Sequence, residues 1–156
     1  MAHIRSAIVC DFAQVREGLL FVSSGGITRI SFPQWPGQAS FCLAGQLEVA
    51  NDEVGQSHTV HLRVTEAQTA TDVWVGELNF HAGQPPPLFP GEPMMIPFAL
   101  SIGPVSVERP GPYDINVSGE SDSTLLTLYL LAPTDTEAAD PGEVGEVGEV
   151  GEVGEE

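Results

Sequence analysis

Apolar residues recur at every second position in one stretch of this chain after another, while the three-to-four-residue spacing of an amphipathic helix does not recur. Successive side chains on a strand point to opposite faces, so this pattern calls for half-buried strands stacked on a shared core. In 40–50, Phe41, Leu43, Leu47 and Val49 share one face, with Cys42, Gln46 and Glu48 on the other. In 58–65, Val60, Leu62 and Val64 point inward against His61, Arg63 and Thr65. Trp74, Leu78 and Phe80 form one side of 71–80, and Met94, Ile96, Phe98, Leu100 and Ile102 one side of the strand that follows. Pro97 on that strand donates no ladder hydrogen bond, which predicts an edge position or a bulge. Tyr113, Ile115 and Val117 alternate with Asp114, Asn116 and Ser118. Because Tyr113 follows a Gly-Pro turn, its phenol suits the corner role that ties a loop to a β-sandwich. The last segment, 124–131, is apolar on both faces.

The stretch 7–30, AIVCDFAQVREGLLFVSSGGITRI, adds an apolar strand, a hairpin turn at Arg16-Glu17-Gly18, a second apolar strand and a Ser-Ser-Gly-Gly break. The glycine pair predicts a bulge or bend through which the chain changes sheets. The proline run at 83–91 predicts an extended crossover rather than a central strand. About eight short strands separated by turn chemistry point to an all-β fold, a two-sheet antiparallel β-sandwich immunoglobulin-like in outline. A closed barrel is the alternative.

At 156 residues one domain is expected. Its boundary falls near Thr134, because 135–156 holds nine of the 22 acidic residues, no basic one and four Gly-Glu-Val triplets. Glycine at every third position matches collagen spacing, but the repeat has no proline and is too short for a triple helix. A disordered acidic tail is the expectation. The remainder carries 13 acidic and five basic residues, a net of −8. A chain with a net charge of −17 repels phosphate, which argues against nucleic acid and anionic membranes as partners. The charged, interrupted start MAHIRSAIVCDF reads as neither signal peptide nor transmembrane helix. With two cysteines, Cys10 and Cys42, reduced thiols in a cytoplasmic protein are expected.

Residues 7–30, above all CDFAQVREGLLFVSSGGITRI, together with Gly91-Glu92-Pro93 and the turn Pro110-Gly111-Pro112-Tyr113, resemble a family of small, mostly actinobacterial β domains of unknown function. The resemblance spans about residues 4–131. It implies a β-sandwich, with no established activity and no catalytic residues to carry over.

No pattern in the sequence names a chemistry. A nucleophilic enzyme needs Ser or Cys, a His and an orienting carboxylate; Cys10-Asp11, Ser23 and Ser24 are available with His3, His58, His61 and His81, without a G-x-S-x-G elbow. A small hydrolase or metal-dependent enzyme that gathers Cys10, Asp11, His58 and His81 at one end of the sandwich is the alternative reading. His58 and His61 fall on opposite faces of a strand and do not share an ion; Asp52, Glu53 and His58 flank one turn as a candidate hard-cation set with backbone carbonyls, but lack the acidic ladder of a calcium loop. No cofactor is implied. Trp35 between Pro33 and Pro36, and the loop of Pro87, Leu88, Phe89 and Pro90, are candidates for small-ligand, carbohydrate or partner binding, with a folded-back lid and a rigid connector as the plainer readings. Leu125, Tyr129, Leu131, Val73, Val75 and Met95 lie on nominally outer faces, where exposed apolar surface marks an interface. The leading expectation is therefore a non-enzymatic protein-binding or assembly module that pairs with itself or another protein, its tail open to a basic partner.

Overall fold

The structure, a computed structural model, describes residues 2–83, 89 and 91–133. Among the described residues ten strands account for the fold. They are β1 (His3–Cys10), β2 (Phe12–Arg16), β3 (Leu19–Ser23), β4 (Arg29–Ser31), β5 (Gly37–Val49), β6 (Ser57–Glu66), β7 (Thr71–His81), β8 (Met94–Val107), β9 (Gly111–Ser118) and β10 (Ser123–Leu131), with one 3-10 turn at Asn51–Glu53. The order β1-β5-β8 makes one sheet and β4-β10-β9-β6-β7 the other, while among the described residues β2 and β3 pair only with each other.

The two larger sheets face one another as the alternation requires. Leu43, Leu47, Phe98 and Ile102 from the first meet Val60, Leu62, Val64, Ile115, Val117, Leu128 and Leu130 from the second in one buried cluster. Each fully buried aliphatic side chain contributes about 1.5–3 kcal/mol through apolar surface removed from water, so this cluster dominates the cohesion of the fold. Pro97 sits on β8, an edge strand of its sheet, where its missing N–H interrupts no ladder on the solvent side.

Tyr113 fulfils the corner role. Its side chain is buried, and its hydroxyl donates to the Arg109 carbonyl at 2.9 Å. The Arg109 guanidinium lies 2.9 Å from the buried Glu66 carboxylate, which also accepts from the Thr69 hydroxyl at 3.0 Å. Burial, and then the nearby Glu66 charge, push the Tyr113 pKa upward. The phenol therefore keeps the proton that it donates.

Three features depart from the expected plan. First, what reads as one opening strand is two, because the chain leaves the first sheet at Asp11 and continues as β2. The β2–β3 pair folds back over the outer face of β1-β5-β8, where Ala13, Leu20 and Ile8 pack on Cys10, Cys42 and Ala44. Second, β4 pairs with β10 in parallel, so the sandwich is not wholly antiparallel. The Ser23–Gly26 break makes this possible: Ser24 and Gly26 adopt left-handed φ values of 52° and 84°, and the Gly26 and Ile27 amides donate to the Val9 carbonyl at 2.9 and 3.1 Å. The chain is thus pinned to the edge of β1 before it crosses to the second sheet. Third, the register of β6 against β7 slips between Val64 and Thr65, whose partners are Trp74 and Asp72. Val73 is the extra residue of this bulge.

Candidate functional site

The turn between β2 and β3 is the tightest kind. Arg16 pairs with Leu19, leaving Glu17 and Gly18 as a two-residue connection with φ values of 52° and 75°. Two consecutive positive φ angles define the turn whose twist matches a β-hairpin. Gly18 adopts this conformation without penalty; Glu17 is held there by the ribbon it closes.

Residues facing one another across an antiparallel pair share a face, so the hairpin register sorts its side chains. In the rows Ala13–Val22 and Val15–Leu20, Ala13 and Leu20 pack on the sheet below while Val15 and Val22 stay 42% and 41% exposed at its margin; Phe12–Ser23, Gln14–Phe21 and Arg16–Leu19 make up the opposite face. Phe12, Leu19 and Phe21 are therefore held in solvent, 54%, 61% and 48% exposed. Five of the 11 exposed large hydrophobics among the described residues belong to these two short strands. Residues 7–30 stand out in the sequence as a strand, a hairpin turn and a second strand of the sandwich, not as an exposed surface. The available signal was a strand pair apolar on both faces, which needs a cover on each side.

The six residues placed on nominally outer faces lie in different surroundings. Val73 turns inward at the bulge and packs against the main core with Trp74. Met95 is exposed but lies on β8, in the other sheet. Val75 and Leu125, 60% and 59% exposed, occupy one row of the five-stranded sheet with Arg63 and Asn116 between them. They wall an open trough of about 680 Å³ whose floor includes His61, Arg63, Thr65 and Asp114. Leu125, Tyr129 and Leu131 do share the outer side of β10, broken by Thr127.

Polar side chains on the floor of the trough pair with one another. His61 Nδ1 lies 3.2 Å from Glu77, and the Arg63 guanidinium 3.6 Å from Asp72. Thr65 donates to Asp72 at 3.0 Å and Thr127 to Asp114 at 2.8 Å, and Ser118 donates to Asn116. Nothing in this arrangement activates a nucleophile.

Cys10, Asp11, His58 and His81 are not brought together. Cys10 ends β1 under the hairpin. His58 lies at the other end, its Nδ1 3.4 Å from Glu120, whose carboxylate also accepts from the Ala2 amide at 3.3 Å just before β1. The seven residue steps of β1 therefore separate Cys10 from the His58 end by about 23 Å. His58 is buried and stacked on Phe80, ring centroids 5.4 Å apart, whereas His61 faces solvent, so the two do not share a face. Burial pushes the Glu120 carboxyl upward, but the hydrogen bonds from His58 and the Ala2 amide outweigh it and hold the group below its ordinary range. Among the described residues no three His, Cys, Asp or Glu side chains are grouped to hold a metal ion.

Trp35 is folded back on the sandwich. It packs against the core with its ring edge to Phe32, centroids 5.2 Å apart, and the adjacent hollow of about 410 Å³ is lined by its neighbours Phe32, Pro33, Gln34 and Pro36 rather than by Trp35. Phe89 is exposed; Pro87, Leu88, Pro90 and the acidic segment 135–156 lie outside the described residues. Among the described residues no helix is long and apolar enough to cross a membrane.

The class defined by these features is an all-β domain of two packed sheets with an additional surface hairpin. Within that class the chain belongs to the family of unknown function DUF6941, whose model matches residues 5–129. No curated protein matches. One solved structure with similarity is that of a novel b-glucosidase, EmGH1, from Erythrobacter marinus, at 11% identity and a TM-score of 0.36. The alignment covers 81% of this chain but 15% of the glucosidase, so this chain spans a small part of that protein's length.

Proposed function

We propose that this chain is a non-enzymatic protein-binding and assembly module that docks through its β2–β3 hairpin onto a second copy of itself. The observation that carries this reading is the outward face of Phe12, Leu19 and Phe21, three large apolar side chains held in water by a tight turn. Contiguous apolar surface of this kind marks an interface.

Charge favours a second copy at this place. The body carries a net of −8, whereas the hairpin and its approach hold Asp11, Arg16 and Glu17, a net of −1. Arg16 and Glu17 already pair at 3.9 Å. Two copies meeting hairpin to hairpin about a two-fold axis bring little like charge together, and an antiparallel approach sets the near-neutral tip of one against the Asp11 base of the other. The three side chains offer about 300 Å² of apolar surface per copy, taking a buried aromatic at about 150–250 Å². That is less than the roughly 800 Å² per partner of a standard interface, so the association is of the weak, reversible class. The low cysteine content, two in 156 residues, supports a reducing, cytoplasmic setting.

Size-exclusion chromatography with light scattering across a concentration series tests this on the full chain. The expected result is a monomer–dimer equilibrium that Phe21→Glu shifts to monomer with the thermal unfolding transition retained. A wild-type monomer at every concentration, or a dimer indifferent to Phe21→Glu, overturns it. Loss of dimer in Tyr129→Glu but not in Phe21→Glu assigns the interface to β10 instead.

A further inference from the structure

Cys10 closes β1, and Cys42 stands directly opposite it on β5. The Val9 carbonyl turns away from β5 to accept the Gly26 and Ile27 amides, so Val9–Leu43 is a non-hydrogen-bonded pair and Cys10–Cys42 beside it is a hydrogen-bonded one. The α-carbons of such a pair stand about 5.5 Å apart, inside the roughly 4.4–6.8 Å that a disulfide spans. Facing β-carbons at about 4.5–5.5 Å must draw in to about 3.5–4.5 Å for the bond to close. A disulfide that pulls on its strands is the readily reduced kind, suited to reversible chemistry.

Both thiols are buried. The Cys10 thiol donates to the Cys42 carbonyl at 3.6 Å, and Cys42 Sγ lies 3.6 Å from the Ser101 hydroxyl. Their cover is the inner face of the hairpin, Ala13 and Leu20. With the hairpin down, burial first, and then the neighbouring Cys42 and Asp11, push the Cys10 thiol up, which keeps it protonated and inert.

We propose that Cys10 and Cys42 form a reversible dithiol–disulfide site, gated by lifting of the β2–β3 hairpin and oxidised by small disulfides of the glutathione class. One cysteine thiolate attacks the oxidant disulfide, forming a mixed disulfide and releasing one oxidant thiolate. The second cysteine thiolate displaces the other. The two protein thiols are oxidised, the oxidant disulfide is reduced to two thiols, and the two cysteine protons pass to the departing thiolates through solvent. The site does not depend on the hairpin having a docking partner.

Intact-mass spectrometry of the full, folded chain exposed to oxidised glutathione tests the proposal. Expected is a species lacking two hydrogens, restored by dithiothreitol, whose non-reduced peptide map contains a Cys10–Cys42 cross-link. Leu20→Ala, which loosens the cover, is expected to form it about tenfold faster, because reaction follows the population of the open form. Stable glutathione adducts alone, interchain cross-links alone, or no modification of the folded protein overturns the site. Equal rates in Leu20→Ala and wild type overturn the gate. The peptide map needs no cysteine variant to fold.

Discussion

The outward face of the β2–β3 hairpin and the outer face of the five-stranded sheet both hold large apolar side chains in water, yet they are opposite kinds of surface. On the hairpin, Phe12, Leu19 and Phe21 are neighbours in three consecutive rows, and among the described residues the strands beneath them hydrogen-bond into no sheet but their own. On the sheet, Val75 and Leu125 are held apart by Arg63 and Asn116, and the polar side chains between them pair among themselves. Exposure alone does not distinguish the two; adjacency does. Desolvating the hairpin face removes apolar surface from water, whereas desolvating the trough also strips charged groups of solvent at a cost their mutual pairing offsets only in part.

The sharpest way to break this comparison is a pair of matched charge insertions. Phe21→Glu is expected to weaken self-association at least tenfold, about 1.4 kcal/mol or more, and Leu125→Glu less than twofold, both read by sedimentation equilibrium. If the two shift association equally, adjacency is not the deciding property. Next in size, Tyr113→Phe removes the hydroxyl bond to Arg109 beneath the polar sheet. Denaturant unfolding is expected to show a loss of about 1–1.5 kcal/mol with association unchanged.

A smaller effect of opposite sign is expected at the hairpin turn. Glu17→Asn places a residue tolerant of positive φ where a glutamate is held at 52°, raising stability by about 0.5 kcal/mol. Hydrogen exchange should localise the gain to β2 and β3. The last test lies on neither face. Because the folded state holds the Glu120 carboxyl low, its contribution is complete above the ordinary Glu value of about 4.3 and is lost as pH falls below it through the folded value. Glu120→Gln is therefore expected to be less stable than wild type at neutral pH, with the two unfolding curves converging in acid.

Much of the sandwich was legible because its signals are local. The β6 faces follow from Val60, Leu62 and Val64 alternating with His61, Arg63 and Thr65, and the Tyr113 corner from a Tyr placed after Gly111-Pro112. The hairpin turn was legible too, since Glu17-Gly18 lies between two apolar runs. The candidate surface was not. Val73 and Val75 look equivalent by period, and only the slip between Val64 and Thr65 turns one inward while leaving the other in solvent. Phe12 and Phe21 look like core residues, and only the departure of the chain from the first sheet at Asp11 exposes them.

By itself, then, the sequence determined an all-β chain, the faces of its regular strands and the place where one tight turn forms, because alternation and turn chemistry act over a few residues. The tertiary structure decided that β2 and β3 lie outside the sandwich, that Cys10 meets Cys42 beneath them, and that β4 crosses to run parallel with β10. Each of these depends on packing or pairing between segments far apart in the chain. The period of two specifies which side chains share a face, but not what lies against that face.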